Sequence, residues 1–551
     1  MSRQSTTRPR ILAGLALSAL AIGVAAGLWQ AQVLAPPPLV RPKTPVPSVL
    51  PTITVELPVP PQADPDADGI KIATFLGNET RSFYGVGPVP ERLEVLWKAR
   101  IGGGTTGGTG KRSAEASATG GMVTWYGTGW TGQPALVREG GRLFLLVGGF
   151  DHGLRKIDAE TGKTVWRYEY DDVIKGSPAV IADPSAPDDP SRYLVMTGSR
   201  RGFPRSITAP DIAPFRGVWY ATGEEAWRLP VPHTRSYSRD ADGSALVLGP
   251  HAIVGVESGH LYRIDPFATQ PWQGHRSPHI LKQALLLGDK RSASHGGNLV
   301  LESSPVLLGD RVYVASGAGH VYGLDADTLE VEWDFYIGSD LDGTVVATDD
   351  GKLLVPVEKQ YIRGHGGVLL LDPSKPPSEA VVWFFPTGDR AFADWQGGVI
   401  GSCSVNDAYD PDRSRPRLAA FSAIDGHLYV VARDETASLT VDGPDGEHGL
   451  ATPVLVYKDD IGGSISTPII VDDHIVAAGY GNTVNVYRIS YGPPDGGGVT
   501  LSTRSGARVS VRVERVARFT GGGTYESTPI VWQGRIYIGS RDGYFYCLGG
   551  R

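Results

Sequence analysis

The chain has 551 residues and is rich in turn-forming residues, with 72 glycines and 42 prolines. Its formal net charge is −7; outside the first ten residues, which hold three arginines and no acid, 49 basic side chains face 59 acidic ones, a net −10. A chain this acidic repels phosphate backbones, which argues against nucleic acid as a partner.

Residues 11–29 form an uncharged, largely apolar run of 19 residues directly behind those arginines. A helix of this length, rising about 1.5 Å per residue, can just cross a bilayer core of about 30 Å. The arginines predict that residues 1–10 stay in the cytoplasm as a basic tail. The rest of the chain is then periplasmic or extracellular, on a single-pass cell-membrane protein. A cleaved signal segment is the alternative, because Val33-Leu34-Ala35 resembles a cleavage site.

Residues 30–74 are predicted to be a Pro-rich linker. Eleven prolines lie between residues 36 and 66, and such a stretch favours extended polyproline II conformation. It would hold a folded domain away from the membrane as a semi-rigid spacer. We therefore expect the folded domain to span residues 75–551.

This domain repeats one phrase. Residues 158–166 read Asp-Ala-Glu-Thr-Gly-Lys-Thr-Val-Trp, and related phrases return at 220–227, 325–333 and, more loosely, 372–383. A second phrase alternates with it: a small polar pair, usually with Pro, that opens a short apolar strand. Its clear copies begin near residues 132, 176, 302, 466 and 526, and weaker copies begin at Asp242, Asp342 and Gln396. Self-similarity at this spacing indicates one supersecondary unit copied eight times.

Each unit has the hairpin pattern of four antiparallel strands, with the Trp on the outermost strand. Eight such sheets bury their faces when they are arranged radially, so the predicted fold is an all-β, eight-bladed β-propeller. The last unit stops at residue 549 before its Trp strand, while residues 93–98 form a Trp strand that lacks a unit. The N-terminal strand is therefore expected to complete the C-terminal blade and remove an exposed edge.

The domain resembles the quinoprotein-type propellers with pyrroloquinoline quinone (PQQ)-like repeats. The two repeat phrases carry this resemblance, together with the opening phrase 75–81 (Phe-Leu-Gly-Asn-Glu-Thr-Arg), which is followed by Gly85, Gly87, Pro88 and Trp97. The family includes PQQ-dependent alcohol dehydrogenases. It also includes non-enzymatic members, such as the propeller lipoprotein of the outer-membrane β-barrel assembly machinery. The fold alone does not choose between them.

For a dehydrogenase, the resemblance implies a quinone in the central funnel with a bound calcium, a disulfide between adjacent cysteines on one face and a Trp on the other. This chain has only Cys403 and Cys547, which are far apart in sequence, and it has no Cys-x-x-Cys-His haem motif. The two cysteines are expected to be small buried residues, although a disulfide between them stays open. These differences weigh against the enzyme.

The starts of the inner strands should surround one mouth of the channel. The residues at these positions are Thr131, Lys175, Asp242, Glu302, Asp342, Gln396, Ile465 and Glu526. Asp242, Glu302 and Asp342 come from three successive units and are the candidate metal ligands, since calcium prefers six to eight hard oxygens. Lys175, Trp395 and Gln396 are the candidate cofactor-binding residues, with Trp395 as a stacking surface. Strand starts at a solvated mouth are polar in any propeller, so a purely structural interpretation stays open.

Six insertions break the repeat spacing, and loops on a rigid scaffold often carry specificity. They lie at residues 101–128, 200–216, 265–298, 404–416, 433–450 and 490–510. The leading hypothesis is a non-catalytic, membrane-anchored scaffold or envelope assembly factor without a cofactor. It would bind protein partners through a propeller face or these insertions. The alternatives are a PQQ- and calcium-dependent dehydrogenase with an atypical funnel, and a sensor for a small ligand.

Overall fold

The computed structural model describes residues 64–107, 121–130, 132–202, 205–393 and 395–550. The predicted basic tail, the membrane or signal segment 11–29 and most of the predicted linker lie outside these residues. Within the described ranges, no helix is long and apolar enough to span a bilayer. The helices described are short 3₁₀ segments, at Pro190–Arg192, Lys290–His295, Pro377–Glu379 and Asp407–Tyr409.

The described chain forms the predicted all-β, eight-bladed propeller, with four principal antiparallel strands in each blade. In chain order and from the inner strand outwards, the strands of blades 1 to 4 are Ala135–Glu139, Arg142–Gly148, Gly153–Asp158 and Thr164–Glu169; Ala179–Ile181, Leu194–Gly198, Phe215–Trp219 and Glu225–Leu229; Leu246–Leu248, His251–Gly255, His260–Trp272 and His275–Leu285; and Val306–Leu308, Arg311–Ala315, His320–Asp325 and Val331–Tyr336. Those of blades 5 to 8 are Val346–Ala347, Leu353–Val357, Gly367–Leu371 and Val381–Pro386; Ser404–Val405, Leu418–Ser422, His427–Val441 and Leu450–Asp460; Ile469–Val471, His474–Gly479, Thr483–Gly492 and Arg508–Thr520; and Ile530–Trp532, Arg535–Gly539, Tyr544–Gly549 and Glu94–Arg100.

Short strands add to these blades. Gly69–Ile72 pairs with the inner strand of blade 1, Gly85–Val86 pairs in parallel with that of blade 8, and Val499–Ser502 extends blade 7. Two separate hairpins are formed by Gly103–Gly107 with Met122–Tyr126 and by Asp389–Phe392 with Trp395–Gly397.

Position in the blade explains the composition of the strands. In blade 5, Leu353–Val357 and Gly367–Leu371 are buried throughout, because neighbouring blades cover both faces of the sheet. Such strands are continuously apolar. The outer strand Thr164–Glu169 instead has alternating exposure, so its polar side chains face solvent.

Blade 8 joins distant parts of the chain. Its outermost strand is Glu94–Arg100, which pairs antiparallel with Tyr544–Gly549. The pairing joins the start and the end of the described propeller in one sheet. The neighbouring strand Gly69–Ile72 also belongs to the propeller, through blade 1, so the predicted linker boundary at residue 74 was placed too late.

The repeated Trp residues lie on outer strands, as predicted, and contact the neighbouring blade. In five blades the indole N–H on the outer strand donates to a carbonyl oxygen of the next blade, at 2.8–3.0 Å. The pairs are Trp97 with Ala159, Trp166 with Tyr220, Trp227 with Pro266, Trp333 with Lys375 and Trp383 with Arg433. The indole fills the gap between the sheets while its polar edge keeps a partner.

A belt of hydroxyl groups joins the inner strands to one another. At six junctions a backbone N–H of one blade donates to a Ser or Thr hydroxyl of the next blade, at 2.8–3.3 Å. The pairs are Gln133 to Ser177, Ser244 to Ser304, Ser304 to Thr344, Thr344 to Ser402, Ser402 to Thr467 and Thr467 to Thr528. The small polar residue of the second phrase therefore satisfies backbone groups that would otherwise be buried without partners.

The opening phrase crosses the channel beneath this belt. Carbonyls of residues 73–84 accept hydrogen bonds from inner strands of blades 2, 4, 5 and 8, at 2.7–3.2 Å. The pairs are Ala73 with Val180, Glu79 with Leu307, Thr80 with Ala347 and Tyr84 with Val531. Because these strands surround the axis, residues 73–84 plug the channel. Arg81, which is fully buried, fixes the plug by donating to the carbonyl oxygen of Pro305.

Candidate functional site: an acidic funnel

Blade topology brings the candidate residues to one face. In a four-stranded antiparallel blade, the connection from the outer strand to the next inner strand and the loop between the second and third strands emerge on the same side. Lys175 and Asp342 precede inner strands, whereas Glu257 and Glu358 follow second strands. All four therefore lie on one side, which we call the funnel face.

A cavity of about 20 Å³ lies at the centre of this face. The predicted metal ligands Asp242, Glu302 and Asp342 all line it, together with Trp130 and hydroxyls of the belt such as Ser177. A space of this size holds about one water molecule. The structure thus brings the three predicted acids to one small polar cavity.

Lys175 is buried among these acids. Its ammonium pairs with the carboxylate of Asp242, lies 4.0 Å from Glu302 Oε2 and sits 4.2 Å from the centroid of the Trp130 ring. Trp130 Nε1 in turn donates to Glu302 Oε2 at 3.3 Å. Burial alone would lower the pKa of Lys175, but the surrounding carboxylates outweigh it and raise that pKa above its ordinary value. Lys175 is therefore a fixed positive charge inside the funnel.

The carboxylates form two groups rather than the single predicted one. In the first group, Asp242, Glu257 and Glu302 each offer an oxygen, and these oxygens lie within 4.8 Å of one another. Asp340, Asp342 and Glu358 form the second group by the same measure. Asp342 therefore belongs with partners that the repeat alignment does not include.

Burial raises the pKa of most of these acids because it disfavours their charged form. The pKa of Glu302 rises to about 8, with further contributions from Asp342 and Asp242 against the opposing effect of Lys175. The pKa of Asp340 rises to about 7, through burial and then Glu302. Burial and neighbouring acids raise those of Glu257, Asp342 and Glu358 well above the ordinary range. The funnel holds more acid than Lys175 can neutralise.

Trp395 packs against Trp130, which lines the cavity, whereas Gln396 is exposed. The ring centroids of Trp130 and Trp395 lie 5.8 Å apart, and the rings are tilted by 37°. Trp395 also packs against a small apolar cluster of Ile400, Ile424 and Ile465. Gln396 is exposed in the hairpin Asp389–Phe392 and Trp395–Gly397. Its position as a strand start was therefore wrong.

The inner strand of blade 6 begins at Ser404. Ser402 supplies the hydroxyl of the belt in that blade, so Ile400 occupies the position that Asp342 has in blade 5. A second predicted strand start, Thr131, lies outside the described residues.

Sequence reasoning missed Trp130, Glu257, Asp340 and Glu358. Glu257 and Glu358 follow the second strands of blades 3 and 5. Because the loops after second strands share the funnel face with the inner-strand starts, an acid directly after a second strand was the signal that could have found them. Asp340 lies in the connection before an inner strand, two residues before the aligned position Asp342, and that proximity was its only signal.

Comparisons with known proteins agree with the fold. No protein-family model and no curated protein matches the chain. Among solved structures, the quinohemoprotein alcohol dehydrogenase from Comamonas testosteroni aligns with a TM-score of 0.51 at 11% identity, covering 88% of this chain and 81% of that one. A europium-containing methanol dehydrogenase aligns at 0.52 and 10% identity, covering 88% and 99%.

BamB from Moraxella catarrhalis aligns with a TM-score of 0.46 at 15% identity, covering 74% of this chain and 94% of that one. This likeness is too weak to indicate a shared function. The two dehydrogenases, at such low identity, show a shared fold alone. The resemblance to the quinoprotein-type propellers therefore holds as a likeness of architecture.

The funnel residues do not fit the quinone that this resemblance implies. The cavity has room for about one water, and Trp130, which lines it, packs against the Lys175 ammonium. Cys403 and Cys547 are buried, unbonded residues of the hydrophobic core, at 0% exposure. A multiply charged anion such as PQQ would also meet buried carboxylates. A hard cation, by contrast, suits the carboxylate oxygens of the funnel.

Proposed function

We propose that the protein is a non-catalytic scaffold of the cell envelope that binds a protein partner on its funnel face. One observation carries the proposal: two tyrosines, Tyr237 and Tyr361, stand exposed beside the acidic mouth, with 53% and 43% of their surface open to solvent. They are placed there by the connection between blades 2 and 3 and by the loop after the second strand of blade 5.

The two tyrosines flank one short segment. The backbone N–H of Tyr237 donates to the carbonyl oxygen of Gly297 at 2.9 Å. The ring of Tyr361 stacks on His295 with centroids 4.3 Å apart. The same segment, 295–297, thus holds the backbone of Tyr237 and the ring of Tyr361, and places both aromatic side chains beside the funnel. Such rigid aromatic side chains are typical anchors of protein interfaces.

The chemistry of the mouth suggests what the partner presents. The cavity has room for about one water molecule, so a partner would contact the funnel face at its surface. Exposed aromatic rings beside carboxylates suit a segment that carries apolar and basic side chains, Arg in particular. The partner would then lay such a segment across Tyr237 and Tyr361.

The predicted N-terminal segment determines on which side of the membrane the partner would bind. An uncharged run of 19 residues behind three arginines supports a single-pass anchor with the propeller outside the cytoplasm. The Pro-rich stretch that follows would act as a semi-rigid spacer and hold the funnel face away from the membrane.

Affinity purification from membranes tests the proposal. The full-length chain is recovered from its native host after chemical crosslinking, and companion proteins are quantified by mass spectrometry. We expect one companion in near-stoichiometric amount, and at least about tenfold less of it with Tyr237→Ser and Tyr361→Ser together, since hot-spot loss costs 2 kcal/mol or more.

Val165→Ser is the matched control. Val165 is 54% exposed but lies at the start of an outer strand, on the side opposite the funnel face. It should leave recovery unchanged. Recovery of the propeller alone, or equal recovery with all variants, contradicts the proposal.

A further inference from the structure

The second carboxylate group, Asp340, Asp342 and Glu358, has the spacing of a cation site. One oxygen from each residue lies within 4.8 Å of the others. Calcium holds its oxygens at roughly 2.4 Å, so two oxygens on one ion lie up to about 4.8 Å apart. The three side chains therefore converge closely enough to share a single ion.

Two of these side chains are buried with oxygens that lack a partner. Glu358 is 2% exposed and Asp340 is 6% exposed. Glu358 Oε2 and Asp340 Oδ1 accept no hydrogen bond from the described residues. A buried carboxylate oxygen without a donor is costly. Both residues belong to the convergent group, so a ligand between the three would satisfy these oxygens.

No side-chain cation within the described ranges neutralises the group. In these ranges, no Lys, Arg or His side chain forms an ion pair with Asp340, Asp342 or Glu358. The first group differs, because the ammonium of Lys175 pairs with Asp242 and lies 4.0 Å from Glu302. The protein thus pairs its own cation with one group, whereas among the described residues the other group has no such ion pair.

Two amides orient the second group from outside. Asn298 Nδ2 donates to Asp340 Oδ2 at 2.5 Å, and Gln360 Nε2 donates to the same oxygen at 2.7 Å. Both bonds go to Oδ2, so Asp340 Oδ1 accepts from neither amide. Outer hydrogen bonds of this kind hold ligand carboxylates in place at metal sites.

We propose that Asp340, Asp342 and Glu358 bind one divalent cation, calcium by the chemistry of the donors, while Lys175 takes the place of a metal in the neighbouring group. Backbone carbonyls or waters would complete the six to eight oxygens that calcium requires. The alternative occupant is a proton shared between Asp340 and Asp342. The site is independent of the partner proposed above, since purified protein alone can test it.

Calorimetric titration of calcium chloride into the detergent-solubilised, full-length chain, stripped with chelator, tests the site. We expect binding at a ratio of one ion per chain and a rise in melting temperature with calcium. Asp340→Asn and Glu358→Gln should each abolish both signals. Their melting temperatures without calcium should equal or exceed that of the wild type, because an amide cannot take the ionised form that burial disfavours.

Glu257→Gln, in the first group, is the matched control and should keep the one-to-one ratio. Gln360→Ala leaves the carboxylates intact and should weaken calcium binding about 10- to 100-fold, as loss of an orienting contact does. It provides a test should the charge variants not fold. No binding by the wild type at about 1 mM calcium, or loss of binding in Glu257→Gln with retention in Asp340→Asn, overturns the proposal.

Discussion

Trp166 on the outer strand of blade 1 packs against Gly223 in a turn of blade 2. A Cβ atom at Gly223 would lie 2.7 Å from the indole ring, and Gly223 has a φ of +75°. Trp97 has the same relation to Gly162 of blade 1. The Thr-Gly turn and the Trp of the repeated phrase therefore meet between neighbouring blades, which explains why they recur together.

Gly223→Ala should destabilise the propeller by about 2–4 kcal/mol, from positive φ and from overpacking against Trp166. Gly249→Ala is the matched control. Gly249 also has a positive φ, +56°, but open space surrounds the position of its Cβ. It should cost only the backbone term, about 1–2 kcal/mol. Chemical denaturation of both variants measures the difference, and equal losses would show that the contact with Trp166 is unimportant.

The hydroxyl belt makes a second prediction about stability. Thr467→Val keeps the shape of the side chain but leaves the backbone N–H of Ser402, which donates to Thr467 Oγ1 at 2.9 Å, without an acceptor. We expect a loss of about 1–3 kcal/mol in unfolding free energy. The same substitution at the exposed strand residue Thr164 should cost less than about 0.5 kcal/mol. A Thr467→Val variant as stable as the Thr164→Val control would contradict the role of the belt.

The funnel predicts how stability depends on pH. Burial, with Asp342 and Asp242, raises the pKa of Glu302 to about 8, whereas an unfolded Glu titrates near about 4.3. The folded state therefore binds more protons, and the stability that protonated Glu302 contributes is complete below about pH 4 and is lost as pH rises through about 8. In chelator, the melting temperature should fall between pH 6 and 8.

Glu302→Gln should reduce that fall and raise the melting temperature at pH 8, because it removes one of the buried groups that ionise there while Gln can still accept from Trp130. Glu160→Gln, in an exposed turn, should leave the pH profile as it is in the wild type. A profile that Glu302→Gln does not alter would show that Glu302 is not the titrating group.

The sequence predicts most of this architecture because the contacts that define it lie within the repeat. The Asp-Thr-Gly turn, the outer Trp and the small polar pair each act between adjacent blades, so every copy carries its own signal. The sixth copy misled the alignment because Gly397 and Gly398 mimic the small pair. They lie at the end of a hairpin inserted before blade 6. The small polar residue that precedes the inner strand of this blade is Ser402.

The site was harder to predict because it forms between units. Asp242 and Glu302 were found from aligned positions, but Glu257 and Glu358 come from loops whose lengths differ from blade to blade. Glu257 and Glu358 come near the other acids only because these loops emerge on the funnel face. The division into two carboxylate groups depends on the distances between side chains of different blades, which no sequence spacing encodes.

Reconstitution with quinone tests whether this propeller has the dehydrogenase activity that the names of two solved structures of similar fold carry. We expect the full-length chain, incubated with calcium and PQQ and then dialysed, to retain no quinone absorbance and to show no dye-linked alcohol oxidation. The reason is steric, because the cavity holds about one water. Incubation without calcium controls for metal dependence. Quinone retained at one per chain would restore the dehydrogenase interpretation.

Photocrosslinking tests the proposed partner-binding face most directly. A photoreactive phenylalanine derivative replaces Tyr237 in one variant and Val165 in another, in the full-length chain in membranes of the native host. The two sites are about equally exposed, at 53% and 54%, but lie on opposite sides of the propeller. We predict one discrete high-mass adduct from position 237 and none from position 165. No adduct from 237, or the same adducts from both positions, would contradict a partner on the funnel face.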